Sequence, residues 1–260
     1  MHSTPILDHE EQRAHSSTPS AFALGRKIGI LLLLQLVAAL TLPFILMKPL
    51  TVGTPAFLTA VAAHSVKIRG AVLLSFVGSA LTVYLGVTTF PLFRRYSQSA
   101  ALIFMVICAV SCALDMVQAG TVMSMLAIST KFVAAGATDS GLYQVVGAAV
   151  ASARRSAHAT QLLAISAWMF IFYSSLLRFH LVPRVLAVIG VIGVSLQFTG
   201  VTLMMFLGYP AIGPMAMPLL PIQIVVAIWL IAKGVPDKSP TPESARPALI
   251  SKSEYLLPST

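Results

Sequence analysis

The sequence predicts an all-α, polytopic transmembrane helix bundle with about six spans. Three observations lead to this fold class: 57% of the 260 residues are hydrophobic, only 10% are charged, and the mean hydropathy is +0.88. A water-soluble domain of this length carries far more polar surface. Helices are the expected elements because each one satisfies its own backbone hydrogen bonds where no water is available.

Six apolar runs are long enough to cross a hydrocarbon layer of roughly 30 Å, which needs about 20 residues in a helix. Lys, Arg or Pro closes each run at one or both ends. The predicted spans are residues 28–47, 70–93, 99–120, 160–177, 185–207 and 214–232. The first run is too long for the core of a signal peptide, so we expect it to remain as a helix.

The transmembrane domain is expected to cover residues 26–234. Residues 1–25 form a polar leader, and residues 235–260 form a tail with five prolines, so we expect disorder in both. Two linker segments, 57–66 and 142–153, have apolar residues at helical spacing. The first is either a surface helix or the start of the second span, and the second is expected to cap the outer face.

The net charge of +9 comes from seventeen basic residues that stand singly or in pairs between apolar runs. This spacing is typical of membrane flanks, so we expect the lipid bilayer and not nucleic acid as the partner. In a six-span arrangement, eleven basic residues fall on the side of the termini and six on the other. Both termini are therefore predicted to be cytoplasmic.

Asp115 is the only acidic residue within a predicted span and is the leading functional candidate. A carboxylate there costs several kcal/mol unless it is paired, protonated or hydrated. It lies near the far interface if its helix ends at Gly120, and deeper if the helix continues. Gln35, Gln197 and Gln223 also lie inside spans, where they either hydrogen-bond between helices or line a polar cavity together with Asp115.

Arg178, His180 and Arg184 surround the turn between the fourth and fifth spans, and Pro183 lies within that turn. Basic residues at such a turn anchor a protein at the lipid headgroups. The sharper alternative is a small pocket that contacts an anionic headgroup.

No sequence motif indicates a reaction. The chain lacks HExxH, GxxxxGK[ST] and GxSxG. His64, His158 and His180 fall in linkers or at span ends, whereas a haem bundle needs histidines facing one another inside helices. Cys108 and Cys112 are expected to pack as small hydrophobic residues. We therefore predict no catalytic residue, no cofactor and no metal site.

Small residues recur in two of the spans. Gly78, Thr82 and Gly86 repeat every four positions, and Gly193 and Gly200 lie seven apart. Such repeats allow helix backbones to approach closely in a membrane. They predict packing and do not point to a particular function.

Two segments resemble a bacterial family catalogued as domain of unknown function 4386. In the first, FYSSLLRFHLVPRVLAVIGVIG at residues 172–193, a Tyr-containing helix leads to a Val-Pro-Arg turn and a Gly-rich helix. The second is the closing segment PIQIVVAIWLIAKG at residues 221–234. The residues that match the family pattern are Tyr173, Pro183, Arg184, Trp229, Lys233 and Gly234. Gln223 departs from it, because that family usually carries an acidic residue near this position.

The resemblance implies a compact multi-span protein of the bacterial inner membrane and gives no activity. We expect a non-enzymatic protein that binds a small or lipid-like molecule, or that assists another membrane component. One alternative is a secondary transporter that uses Asp115. The other is a membrane-embedded lipid-modifying enzyme that holds a phosphate through Arg178, His180 and Arg184.

Overall fold

The structure is a computed structural model that describes residues 21–41, 57–136 and 140–236. These residues form helices and connecting turns with no β-strand, which confirms the predicted all-α bundle. The helices are α1 (Ala21–Thr41), α2 (Phe57–Ala63), α3 (Ser65–Arg94), α4 (Gln98–Ala134), α5 (Ser140–Arg178), α6 (Arg184–Leu207), α7 (Ile212–Ala216) and α8 (Leu219–Lys233).

Six stretches of helix in the described residues are long and apolar enough to cross a membrane. Five are α1, α3, α4, α5 and α6, and the last combines α7 with α8. This finding agrees with the six spans predicted from the sequence. Helix α1 begins at Ala21, before the predicted start at residue 28, and Arg26 and Lys27 lie exposed on its first turns. The predicted leader up to residue 20, the end of the first predicted span and the tail beyond Pro236 fall outside the described residues.

The spanning helices pack in a closed ring. Helices α3, α4, α5 and α6 each contact the next along the chain, and α6 also contacts α8. Helix α1 closes the ring between α8 and α3. Leucine and aromatic side chains fill the interior, among them Leu32, Leu85, Phe104 and Tyr173. The bundle is therefore held by a predominantly apolar core.

Two glycines bring α1 unusually close to α8 and to the residues that follow it. A Cβ on Gly29 would lie 2.6 Å from the carbonyl oxygen of Ala227, and a Cβ on Gly25 would lie 2.7 Å from the backbone nitrogen of Val235. Side chains at these positions would therefore overlap backbone. This is the close helix packing that small residues four apart permit in membranes.

Helices α4 and α5 extend well beyond the membrane core. At 1.5 Å per residue they are about 55 and 58 Å long, almost twice the thickness of a hydrocarbon layer of roughly 30 Å. Residues 121–134 of α4 and 140–153 of α5 pack with α2 around a second apolar cluster, which includes Leu58, Val61 and Met125. We refer to this assembly as the cap.

Both predicted linker segments lie in the cap. Residues 57–63 form a short helix whose Leu58 and Val61 are fully buried, and residues 65 and 66 belong to the start of α3, the second spanning helix. Residues 142–153 form the first turns of α5, with exposed Leu142 and Val145 on one side and Ala151 buried on the other.

The opposite end of the bundle is the basic end. The helix termini there carry seven cationic residues: Arg26, Lys27, Arg94, Arg95, Arg178, Arg184 and Lys233. The ring of Phe179 stacks on Tyr96 with centroids 4.8 Å apart and meets Phe93 edge-on at 5.9 Å. These contacts bring the end of α3 and the end of α5 together at this face.

Candidate functional site

Asp115 lies buried between three helices and is only 8% exposed. From α3, the hydroxyl of Ser79 donates a hydrogen bond to Asp115 Oδ2 at 2.6 Å. From α5, Gln161 Nε2 donates to the other carboxylate oxygen, Oδ1. Both oxygens of the carboxyl group therefore have a donor from a different neighbouring helix, which offsets part of the desolvation of the group.

The hydrogen bonds continue from Asp115 towards the cap. Because Gln161 uses its amide nitrogen on Asp115, its Oε1 is left as an acceptor, and His158 Nδ1 donates to it at 3.2 Å. Arg154 lies one helical turn further along α5. Ser79, Asp115, Gln161 and His158 form one hydrogen-bonded chain across α3, α4 and α5, which we call the polar chain.

The polar chain separates the two apolar clusters of the molecule. On α4 the membrane core reaches Cys108 and the cap cluster begins at Ala119, with Asp115 between them. On α5 the cap cluster ends at Ala151 and the buried membrane core begins at Trp168. Polar side chains thus occupy the level at which the cap meets the membrane bundle.

The depth of Asp115 follows from the length of α4. The helix continues to Ala134, so Asp115 lies well inside it, about 26 Å along the axis from its start at Gln98. The carboxylate is therefore closer to the cap than to the basic end, and several turns of apolar helix cover it on both sides.

Several buried polar atoms around the polar chain have no hydrogen-bond partner within the described residues. They are Ser111 Oγ and Gln118 Oε1 on α4, Arg154 Nε on α5 and Gln35 Oε1 on α1, while two further unpaired atoms, Thr89 Oγ1 and Trp168 Nε1, lie on the basic-end side of Asp115. Buried polar atoms normally find partners, and an unpaired one costs about 1–3 kcal/mol. A polar molecule beside Asp115 would find both donors and acceptors at this level of the bundle.

The four predicted cavity residues divide into two pairs. Gln35 Nε2 donates to Thr82 Oγ1 at 2.6 Å, and Thr82 stands one turn from Ser79 on α3, so Gln35 adjoins the polar chain. Gln197 on α6 and Gln223 on α8 are each 8% exposed. Neither makes a hydrogen bond to another described residue, so the structure does not connect them to Asp115.

An aromatic block lies between the polar chain and the basic end. The rings of Phe93, Phe104, Trp168 and Phe172 are 2% exposed or less, and their centroids lie 5.4–6.5 Å apart in successive contacts. Tilted and edge-to-face contacts at such distances are the arrangements that aromatic pairs prefer. Within the described residues, the hydrogen bonds of the polar chain do not extend into this aromatic block.

The three residues that were predicted to contact a lipid headgroup at the basic end make different contacts in the structure. Arg184 Nη2 donates to His180 Nε2 at 2.7 Å, which ties these two side chains to each other. Arg178 instead lines a groove of about 200 Å³ between α4 and α5. The lipid-modifying alternative needs all three around one phosphate, and in this structure only Arg178 lines the groove.

Neither a metal site nor a disulfide is formed by the described residues. No three His, Cys, Asp or Glu side chains come together in them. Cys108 is buried, Cys112 is half-buried, and both are free thiols. Cys108 belongs to the apolar core cluster of the bundle.

Sequence reasoning identified Asp115 but missed its partners. Ser79 stands inside the stripe of small residues at Gly78 and Thr82, and Gln161 stands at the start of the predicted fourth span. A helical-face alignment of α3, α4 and α5 would have placed one polar residue of each at a similar distance from the basic end. That alignment requires knowing which helices are neighbours, and a single sequence does not contain this information.

The segment that carries the family resemblance has a structural explanation. Tyr173 is 1% exposed, and a Cβ on Gly190 would overlap its ring, so the Tyr-containing helix and the Gly-rich helix fit together at this contact. A family model, described as a domain of unknown function (DUF4386), matches residues 28–234. No curated protein and no solved structure matches the chain. Since the family model covers most of the chain, from within the first spanning helix to the end of the last, this multi-pass membrane protein belongs to the DUF4386 family.

Proposed function

We propose that this protein binds a small polar molecule at the polar chain, next to Asp115. The observation that carries the proposal is a buried carboxylate held by Ser79 and Gln161, with unpaired polar atoms of Gln118 and Arg154 nearby. Buried ionisable groups inside membrane helices are rare, and they mark binding sites or ion pathways more often than packing contacts.

The chemistry of the site suggests what the molecule carries. Asp115 is the only acidic residue in the described part of the chain, so a hydrogen-bond donor or a positively charged group is complementary to it. Arg154, about 10 Å further along α5 than Gln161, suits an acceptor or an anionic group. A small molecule with both kinds of group, reaching the site from the cap side, matches this arrangement.

Binding is favoured over transport by the aromatic block. A transported solute or proton needs polar groups on both sides of its central site. The packed rings of Phe93, Phe104 and Trp168 occupy the route from Asp115 to the basic end. The secondary-transporter alternative would require these rings to separate.

The protein is proposed to lie in the inner membrane of a bacterial cell with both termini in the cytoplasm. The basic end carries seven cationic residues among those described, against five at the cap side: Lys67, Arg69, Lys131, Arg154 and Arg155. Cytoplasmic flanks are enriched in Lys and Arg, so this asymmetry supports a cytoplasmic basic end and an outward-facing cap.

The test compares purified wild type with Asp115→Asn and with a matched control, Gln223→Leu. Asp115→Asn keeps the shape of the side chain and removes its charge, while Gln223→Leu removes a buried amide on a distant helix. Native mass spectrometry and solvent extraction would identify small molecules that co-purify with each form. We expect a bound species with wild type and with Gln223→Leu that is lost from Asp115→Asn.

Two results would contradict the proposal. If all three forms carry the same molecules while Asp115→Asn only lowers the melting temperature, the polar chain is a packing device. If liposomes that contain the wild type show a proton flux that Asp115→Asn abolishes, the transporter alternative replaces the binding function.

A further inference from the structure

A second candidate site lies at the basic end, in the groove of about 200 Å³ between the start of α4 and the end of α5. Its lining includes Ala100, Ile103, Phe170, Ser174, Ser175 and Arg178. From Arg178 it extends along α5 to Phe170, a distance of about 12 Å. It therefore begins at headgroup depth and remains within one leaflet of the bilayer.

The deeper part of the groove is apolar and open to lipid. Ile103 is 51% exposed and Phe170 is 46% exposed, and they flank the groove from opposite helices. A flexible hydrocarbon chain lying between these side chains would bury part of both. Apolar burial of this kind between helix and lipid tail is favourable only through close packing, which a groove permits and a flat surface does not.

The shallow part of the groove presents unpaired polar groups. Other hydroxyls of these helices, such as those of Ser129 on α4 and Ser166 on α5, donate to a carbonyl one turn earlier. Within the described residues, the hydroxyls of Ser174 and Ser175 and the guanidinium of exposed Arg178 have no hydrogen-bond partner. Three donors thus surround the headgroup end of the groove.

The charge at this end selects the headgroup. Seven cationic side chains lie there, and Asp115, the single acidic residue of the described ranges, is about 26 Å away along α4. An anionic phosphate group is therefore attracted, while the ammonium of a zwitterionic headgroup gains nothing. Arginine suits a phosphate because its planar guanidinium can donate two parallel hydrogen bonds.

We propose that an anionic phospholipid occupies this groove, with its phosphate at Arg178, Ser174 and Ser175 and one acyl chain between Ile103 and Phe170. The site does not depend on the polar chain, because it lies at the other end of the bundle beyond the aromatic block. Either proposal can fail without the other.

The experiment measures phospholipid binding to the purified full-length protein by native mass spectrometry. The probes are phosphatidylglycerol and phosphatidylcholine with the same acyl chains. Arg178→Gln removes the phosphate contact, Ala100→Leu fills the groove, and Arg69→Gln removes an exposed cation at the cap side as a matched control. The melting temperature of each form checks that it is folded.

We expect wild type to bind phosphatidylglycerol more tightly than phosphatidylcholine. Arg178→Gln should weaken phosphatidylglycerol binding about fivefold, which corresponds to about 1 kcal/mol for one basic side chain near a charged headgroup. Ala100→Leu should weaken it as well, whereas Arg69→Gln should leave it unchanged.

Three outcomes would overturn the proposal. Equal affinity for the two lipids would show that the headgroup charge is not recognised. Equal losses in Arg178→Gln and Arg69→Gln would indicate attraction to net charge without a defined site. If inorganic phosphate displaces the lipid completely and Ala100→Leu has no effect, the groove contributes nothing and Arg178 binds a free anion.

Discussion

Replacement of Gly29 by alanine tests the contact between the first and last spanning helices. The added Cβ would lie 2.6 Å from the carbonyl oxygen of Ala227 and 2.7 Å from a side-chain carbon of Ile231. Since the nearest obstacle is backbone, rotation of a side chain cannot relieve the overlap, and the two helices must move apart. Overpacking of this kind destabilises a protein by about 1–3 kcal/mol.

The matched control is the same substitution at Gly120. This residue lies on the exposed side of α4, and a Cβ there has no neighbour within 4 Å. Alanine favours a helix over glycine by about 0.8–1.0 kcal/mol, and both variants gain this amount. The difference between their unfolding free energies therefore isolates the overpacking, and we expect Gly29→Ala to be less stable than Gly120→Ala by about 1–3 kcal/mol.

Unfolding can be followed by titrating mixed micelles with sodium dodecyl sulfate. Trp168 is one of only two tryptophans and is 2% exposed, so its fluorescence reports loss of the core. A Gly29→Ala protein as stable as Gly120→Ala would show that α1 does not approach α8 through this face.

Two further predictions concern packing and orientation. Gly190→Ala places a Cβ against the ring of Tyr173 and should lower the unfolding free energy by about 1–3 kcal/mol in the same titration; wild-type stability would contradict the tight contact. In a cysteine-free background, a membrane-impermeant maleimide added to intact cells should label Thr130→Cys at the cap and not Gln98→Cys at the basic end. The reverse pattern would place the termini outside the cytoplasm.

The number of spanning helices and most of their boundaries could be predicted from the sequence. The apolar run length is fixed by the bilayer, and the charges and prolines that end each run are local features. The continuation of α4 to Ala134 could not be predicted, because Met123, Met125 and Leu126 are equally at home in lipid and in the packed interior of the cap.

Among the polar residues, too, some could be identified from the sequence and others could not. Asp115 stands out in the sequence because a carboxylate within an apolar run is costly wherever the helix lies. Its partners Ser79 and Gln161 do not stand out, since serine and glutamine are common in membrane helices and their importance depends on which neighbour they face. Likewise, the sequence grouped Gln197 and Gln223 with Asp115 by depth alone, and the ring arrangement of the helices places no hydrogen bond between them.

The sequence by itself determined the membrane environment, the six-span fold class and the one carboxylate that such a fold must accommodate, because these depend on composition and run length. Only the tertiary structure decided which helices meet. It thereby joined Asp115 to Ser79 and Gln161, separated Arg178 from the paired Arg184 and His180, and fitted Tyr173 against Gly190. The physical reason is that hydrogen bonds and close packing act over a few ångströms between residues that are far apart along the chain.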